Sequence, residues 1–420
     1  MKSAQKNIPN QFEYATIQHV TKLIRTQRVS PVEVVDACLK RIEALDPRLN
    51  AFITVLADQA REQAHAAETE IKAGKWRGPL HGIPVGIKDF YDTAGIKTTA
   101  GFEHFKDRVP AKDAVGVLKF KKAGAIIIGK TNMHQLGMGT TGLDSYFGLV
   151  HNPWNPDYIP GGSSSGSAVA VASGMCYTTL DTDAIGSCRL PAACCGVVGF
   201  KGTYGLVSTK GILEGEEPPD EMIQWFNHPG ITTRGVQDTA IVLDVLAERN
   251  EHIKTAEFLQ TLTRNRKLRI GVANNFKADQ EVKAAFEKAV ETIRSFGYPM
   301  NSLAAPFGDP SGGIANIEAD RKTIAGQVFK DIDVLILPTT TTTVPTIENA
   351  GTNPQALSPE NTAFANYYGL PAISVLCGFD TNGLPLGLQI VSKPWGENAV
   401  LRLAYQYEAA TEYLRRYPYE

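Results

Sequence analysis

Two serine centres lie 24 residues apart in the glycine-rich segment 161–191, GGSSSGSAVAVASGMCYTTLDTDAIGSCRLP. Small flanking residues let a backbone turn sharply and bring its N–H groups close to a bound oxygen, as an acyl-transfer site requires. A flexible Gly/Ser linker is the alternative interpretation. The run AVAVASG has the apolar density of a helix and TTLDTD resembles a strand, so the segment is predicted to fold. The pattern therefore favours catalysis by hydroxyl groups.

Residues 162–166 match GxSxG, the nucleophile elbow of α/β-hydrolases, which would make Ser164 the nucleophile. That site also needs a histidine from a late loop. Only His228 and His252 follow Ser164, and the last 168 residues contain no histidine. The α/β-hydrolase interpretation is therefore rejected.

The sequence contains no complete motif for a phosphate-binding loop or a metal site. Residues 161–166 have the glycine spacing of a phosphate-binding loop, but Ser167 and Ala168 replace its Lys-Ser/Thr pair. The sequence has no HExxH motif, and isolated histidines such as His81 and His134 are more often structural than ligands. The six cysteines lack paired CxxC spacing and are interpreted as buried thiols. We expect no metal and no other cofactor.

A serine nucleophile without a histidine needs another base, and lysine is an established one. Lys88 ends the apolar run HGIPVGIKD, and Lys130 ends AIIIGK in the same way. Burial at a strand end would lower the pKa of a lysine from about 10.4. A solvated lysine at a strand end is an equally good interpretation. The residues alone leave both lysines open.

The elements around these residues predict an α/β fold. Ser30, Pro31 and Glu33 form a capping box that begins a helix, and Asp46-Pro47 is predicted to end it. A second helical register covers 54–73. Further runs predict strands at 83–87, 125–129, 268–273, 333–338, 371–377 and 386–391, and helices at 115–124, 280–296 and 397–415. Strands alternating with helices imply a large mixed, twisted sheet covered by helices on both faces.

Composition excludes several classes of protein. The chain has 420 residues, of which 43% are hydrophobic, and a formal net charge of −2. Without a basic stripe we expect no nucleic-acid partner. The first residues lack the apolar core of a signal peptide, and no apolar run approaches the roughly 20 residues that span a bilayer. We expect a cytoplasmic protein that does not enter membranes.

Four ordered motifs closely resemble the amidase signature family of Ser-cisSer-Lys hydrolases: HGIPVGIKD, GKTNMHQLGMGTTG, HNPWNPDYIPGGSSSGSAVAVASG and DTDAIGSCRLPAACCGVVGFKGTYG. The C-terminal YYGLPAISVLCGFDTNGLPLGLQIV extends the similarity over nearly the whole chain. The resemblance implies a single amidase domain, residues 1–420. Its parts would be an N-terminal helical region (1–75), a catalytic core (80–210), a shortened substrate cover (238–338) and a C-terminal part of the core (339–420).

Carried over by position, the resemblance implies a role for each of several residues. Lys88 would be the base, Ser163 the bridging serine after a cis peptide bond, and Ser187 the nucleophile. The oxyanion hole would consist of Ala184, Ile185, Gly186 and Ser187. Supporting residues would be Ser164, Asp183 and Arg189. By motif position alone, the substrate would contact Gly139, Thr140 and Tyr146.

The chain departs from the family pattern at several positions. Ile185 replaces a usual glycine, and because β-branched residues disfavour positive φ, we expect a shifted oxyanion turn. Ser165 and Gly202 replace a common glycine and a common proline, and His134-Gln135 replaces an acidic pair. The interval 238–338 is shorter than in the family, which suggests a more open cleft or a pocket completed by a second subunit.

Three functions remain as hypotheses. The first is hydrolysis of a small-molecule carboxamide to a carboxylate and ammonia or an amine through a serine acyl-enzyme. The alternative is the glutaminase (A) subunit of a tRNA-dependent amidotransferase. The third is a non-catalytic paralogue that acts as a binding or assembly module. The amide is left open, and general statistics favour a homodimer.

Overall fold

A single sheet organises the computed structural model, which describes residues 12–215, 221–264, 266–308 and 314–418. Residues 1–11 of the predicted N-terminal region, residue 265 and residues 309–313 of the predicted cover lie outside these ranges. The strands are β1 (Phe52–Val55), β2 (Pro84–Lys88), β3 (Ile126–Thr131), β4 (Thr178–Asp183), β5 (Val198–Lys201), β6 (His228–Thr233), β7 (Ile270–Ala273), β8 (Met300–Leu303), β9 (Val334–Pro338), β10 (Ala372–Phe379) and β11 (Pro385–Ser392).

Helices connect and cover these strands. They are α1 (Ile17–Arg25), α2 (Pro31–Leu49), α3 (Ala57–Lys72), α4 (Val115–Lys122), α5 (Ser165–Ala172), α6 (Arg189–Cys195), α7 (Glu221–Phe226), α8 (Val236–Leu246), α9 (Phe258–Thr261), α10 (Gln280–Arg294), α11 (Ile317–Gln327), α12 (Ile347–Thr352), α13 (Ala363–Tyr367) and α14 (Glu397–Ala409).

The strand order is β1-β3-β2-β4-β6-β5-β10-β11-β9-β7-β8. β2 pairs in parallel with β3 and β4, and β7 pairs in parallel with β8 and β9. The remaining pairs are antiparallel, including β4 with β6 and β10 with β11. The predicted α/β class with a large mixed sheet is confirmed.

Two central helices lie entirely inside the molecule. Every residue of α5 and of α6 is buried, because α5 packs on β2, β3, β4 and β6, and α6 packs on β5, β10 and β11. The run AVAVA therefore forms part of a helix at the centre of the main hydrophobic core. This placement excludes the linker interpretation of the glycine- and serine-rich segment.

The N-terminal helix α2 begins as predicted and ends later. The Ser30 side chain accepts a hydrogen bond from the Val32 amide and the Glu33 carboxylate accepts one from the Ser30 amide, so the capping box is confirmed. The predicted end at Asp46-Pro47 is wrong, because the helix continues to Leu49. Leu49 is buried, and Asn50 ends the helix in the left-handed conformation. Burial of one more apolar side chain outweighs a proline in the last turn.

Candidate active site

Lys88 is the last residue of β2 and is completely buried. Its Nζ atom donates hydrogen bonds to Ser163 Oγ at 2.7 Å and to Thr182 Oγ1 at 2.8 Å. Burial lowers the pKa of Lys88 to about 8, although the nearby Asp181 carboxylate acts in the opposite direction. A lysine with this pKa is largely neutral in mildly alkaline solution and can accept a proton.

Lys130, the other lysine that the sequence left open, lies elsewhere. In the parallel pairing of β2 with β3, Lys88 is opposite Thr131 and Lys130 is opposite Ile87. Since successive side chains of a strand point to opposite faces, the two lysines lie on opposite faces of the sheet. Lys130 donates to the Tyr91 carbonyl and lies 3.4 Å from a carboxylate oxygen of the buried Asp89.

The segment that precedes α5 brings three chain segments together. The peptide bond between Gly162 and Ser163 is cis, and the Ser163 carbonyl accepts a hydrogen bond from the His134 amide at 3.0 Å. The next residue, Ser164, donates its amide to the carbonyl of Ser187 at 3.0 Å and its hydroxyl to the carbonyl of Thr182 at 3.3 Å. Ser164 thus fixes the neighbouring Ser163 against both β4 and the Ser187 turn.

Residues 184–187 form a tight turn between β4 and α6. The Asp183 carboxylate accepts the amides of Gly186 at 2.8 Å and of Cys188 at 3.2 Å. Within the described part of the chain, the amides of Ala184, Ile185 and Ser187 have no hydrogen-bond partner. Gly186 was predicted to supply an oxyanion donor, but its amide is directed to Asp183 instead.

The Ile185 backbone adopts this turn without positive φ. The described non-glycine residues with positive φ are Gln27, Asn50, Ala100, Leu136, Leu213 and Trp395, and Ile185 is not one of them. Gly186 takes the unusual conformation, with φ of 132°. Ile185 is therefore not strained, because the turn needs positive φ one residue later, at Gly186. That the turn is shifted relative to the family stays a prediction.

A buried ion pair between Asp183 and Arg189 stabilises this turn. The Arg189 guanidinium donates two hydrogen bonds to the Asp183 carboxylate, at 3.0 and 2.9 Å, and one to Asn366 Oδ1 at 2.6 Å. Asn366 in turn donates to the Asp183 carbonyl at 2.7 Å. Burial alone would raise the pKa of Asp183, yet Arg189 holds it below its usual range. Asp183 is consequently ionised and keeps its hydrogen bonds to the turn amides.

The two serines open into one cavity of about 610 Å³. Its wall also contains Ala184, Ile185 and Thr182, but not Gly186. Two of the three residues expected to contact substrate by motif position, Gly139 and Thr140, line this cavity. Tyr146, the third, lies outside the lining, is about half exposed and packs its ring against Phe147.

The wall of the cavity is mostly apolar and carries little charge. The larger apolar side chains of the described lining are Phe90, Leu136, Met138, Leu143, Ile185 and Phe226. Its ionisable side chains are Asp144, which accepts a hydrogen bond from Gln135, and His134, whose pKa is lowered by burial. The described lining contains no lysine or arginine.

Features that would suggest other chemistry are absent from the described residues. They contain no group of three or more His, Cys, Asp or Glu side chains that could hold a metal ion. All six cysteines are free and buried. Among the described helices, none combines the length and apolar character needed to cross a membrane.

Several residues of the site were not predicted. Thr182 accepts a second hydrogen bond from the Lys88 amine, and the Asp181 carboxylate acts to raise the pKa of Lys88 against the effect of burial. Asn366 is hydrogen-bonded to both Asp183 and Arg189. Thr182 and Asp181 belong to the strand TTLDTD. Because successive side chains of a strand point to opposite faces, the pattern predicts Thr182 on the face opposite Asp181 and Asp183. Asn366 comes from a distant part of the chain and has no local pattern that marks it.

Known proteins are similar in sequence to nearly the whole of this chain. The amidase family model matches residues 33–306 and 314–401. The glutamyl-tRNA(Gln) amidotransferase of Geobacter metallireducens has an A subunit that is 32% identical over 478 aligned residues, which cover 94% of this chain and 97% of that protein. The corresponding subunit of Synechococcus elongatus is 33% identical, with 95% and 98% covered.

Solved structures give the same result. A 6-aminohexanoate cyclic dimer hydrolase in complex with its substrate superimposes with a TM-score of 0.84 at 26% identity, covering 97% of this chain and 99% of that one. A bacterial aryl acylamidase of the amidase signature family also superimposes with a TM-score of 0.84, at 25% identity, covering 96% of this chain and 98% of that one.

The sequence alignment with the Geobacter protein is longer than this chain, so several tens of the aligned positions of that protein have no counterpart here. That the shortening lies within 238–338 stays a prediction.

Proposed function

Because this chain belongs to the amidase family of C–N hydrolases, we propose that it hydrolyses a small carboxamide through an acyl-enzyme formed on Ser187. One observation carries the proposal. The Lys88 amine contacts Ser163 Oγ at 2.7 Å, and Ser163 and Ser187 line the same cavity. A base, a bridging hydroxyl and a second hydroxyl are the parts that a serine nucleophile without histidine requires.

In the proposed reaction the proton passes from Ser187 to Ser163 and on to Lys88, whose amine is hydrogen-bonded to Ser163 Oγ. Ser187 Oγ attacks the amide carbonyl and gives its proton to Ser163 Oγ, which passes its own proton to Lys88 Nζ. When the C–N bond breaks, the proton returns through Ser163 to the departing nitrogen, which leaves as ammonia or an amine. Water then attacks the acyl-enzyme with the same groups as base, and releases the carboxylate and free Ser187.

The turn after β4 supplies the charge stabilisation. The unpartnered amides of Ala184, Ile185 and Ser187 lie in residues that line the cavity. Attack on the carbonyl places a negative charge on its oxygen, and preorganised amides stabilise that charge at little reorganisation cost. We assign the oxyanion hole to these amides, without Gly186.

The cavity indicates an uncharged acyl group. Its described wall is largely apolar, and its one carboxylate, Asp144, already accepts a hydrogen bond from Gln135. A substrate carboxylate inside the cavity would find no lysine or arginine in that wall and would be desolvated without a partner. Neutral aliphatic or aromatic amides fit this lining better than charged ones.

The glutaminase subunit of an amidotransferase is the second candidate. Curated relatives that are 32–33% identical over nearly the whole chain are A subunits of glutamyl-tRNA(Gln) amidotransferase, which favours this function. The substrate would then be glutamine, and a partner subunit would have to supply a counter-charge for its α-carboxylate.

Ammonia release from an amide panel tests the two candidates. With the purified chain, uncharged amides such as hexanamide and benzamide should be hydrolysed with kcat/KM at least about tenfold above that for glutamine, because a buried unpaired charge costs more than that factor. Glutamine hydrolysis that requires co-purified partner subunits would establish the second candidate instead. Inactivity on every amide, with a ligand still raising the melting temperature, would indicate a non-catalytic paralogue.

The pH dependence should report the base. Lys88 must be neutral to accept a proton, and its pKa is lowered to about 8 by burial. For an uncharged amide, kcat/KM should therefore rise with pH, reach half of its maximum near pH 8 and level off above that value. A profile that is flat between pH 6 and 10 would contradict the assignment of Lys88 as base.

A further inference from the structure

The peptide unit between Ile185 and Gly186 is held at both of its polar atoms. The Ile185 carbonyl accepts a hydrogen bond from the hydroxyl of Thr362, and the Gly186 amide donates to Asp183 Oδ1 at 2.8 Å. Because a peptide unit is planar, fixing its oxygen and its N–H fixes the orientation of the whole unit. The unpartnered amides of Ile185 and Ser187 lie immediately on either side of it.

Thr362 is itself held firmly in place. It is completely buried, its amide donates to the Pro359 carbonyl at 2.9 Å, and its own carbonyl accepts from Arg189 Nη1 at 3.0 Å. The hydroxyl lies within hydrogen-bond distance of the carbonyls of both Ile185 and Pro359. It packs so closely on Gly186 that any side chain at that position would collide with it. Thr362 thus supports the turn from outside the described cavity lining.

We propose that Thr362 is the positioning residue of the oxyanion turn, an inference that rests on the proposed function of Ser187. Without its hydroxyl, the part-buried Ile185 carbonyl would be left unpaired, and rotation of the peptide would be the simplest way to find another donor. Such a rotation would turn the Ile185 and Ser187 amides away from the developing charge. Thr362 touches neither substrate nor reacting atoms, since it lies outside the cavity lining.

The test compares two substitutions of the same residue. Thr362→Val keeps the shape and removes the hydroxyl, and should lower kcat about 10²-fold, the lower end of the loss seen for an oxyanion donor. KM should change by less than about threefold, since substrate binding does not use the charge that develops later. Thr362→Ser keeps the hydroxyl and should retain kcat within about threefold. A boronic acid that carries the acyl group of the best amide should bind Thr362→Val more weakly, in parallel with the loss of kcat.

Thr178→Val is the matched control. Thr178 is also completely buried, and its hydroxyl also donates to a backbone carbonyl, that of Thr232 at 2.9 Å. This variant should have a similar melting temperature to Thr362→Val but near wild-type kcat. Equal losses in the two valine variants, or full activity in Thr362→Val, would overturn the positioning role. If wild-type protein hydrolyses no amide and no serine probe labels it, the proposed function itself has failed.

Discussion

Ser187→Ala is expected to reduce amide hydrolysis by at least about 10⁴-fold, since removing a serine nucleophile leaves only the contributions of binding and the oxyanion hole. A fluorophosphonate probe should label Ser187 in the wild-type protein and leave the variant unlabelled. The melting temperature should change little, because the loss of one oxygen in a cavity wall removes no core packing. Ammonia release and mass spectrometry of the labelled peptide measure the two effects.

Ser173→Ala is the control for this experiment. Ser173 is a buried serine at the far end of α5, and its hydroxyl has no partner within the described residues. This variant should keep full turnover and labelling. Continued turnover and labelling in Ser187→Ala would refute the nucleophile assignment, and a label on Ser163 would move that role to the other hydroxyl.

Lys88→Met is expected to lower kcat/KM by about 10³-fold, within the range of general-base contributions. The methionine keeps most of the volume of the lysine stem in a fully buried position, so a folded protein is expected. Raising the pH should restore little activity, because a methionine side chain cannot accept the proton of Ser163 at any pH. The rate of labelling by the fluorophosphonate probe should fall in parallel. Turnover at the wild-type rate would show that Lys88 is not the base.

A double substitution of Lys130 on β3 and of its partner Asp89, which follows Lys88, controls for the loss of a buried lysine. Asp89→Asn/Lys130→Met removes a second buried lysine together with its carboxylate partner, so that no unpaired charge remains. We expect this variant to retain kcat/KM within a few fold, whatever happens to its melting temperature. If it lost as much activity as Lys88→Met, the effect could not be ascribed to the proton acceptor.

The two lysines also show what the sequence could and could not predict. Both end short apolar runs, and both runs form buried strands as predicted. Which lysine reaches the serines depends on the register of β2 against β3, a single-residue offset that local patterns do not encode. Family resemblance favoured Lys88, and the structure places its amine on Ser163.

Local sequence was most informative where local interactions decide the structure. The capping box at Ser30 predicted the start of α2, but the end of that helix depends on the burial of Leu49. Likewise, Gly186 and Ile185 could be identified as turn residues, whereas the direction of the Gly186 amide depends on Asp183. Asn366 and Thr362 reach the turn from nearly 180 residues away in the chain, so only the tertiary fold identifies them.

The strand order separates the candidate active site from the segment 270–338. Lys88 and Asp183 end β2 and β4, which are adjacent, so the spacing between base and turn is set by the hydrogen bonds of the sheet. The segment 270–338 supplies β7, β8 and β9, at the opposite edge and beyond four intervening strands. Insertions or deletions in that segment can therefore occur without a change in the spacing between Lys88 and the turn. The sheet thus keeps changes of chain length at one edge apart from the geometry of the site near the other edge.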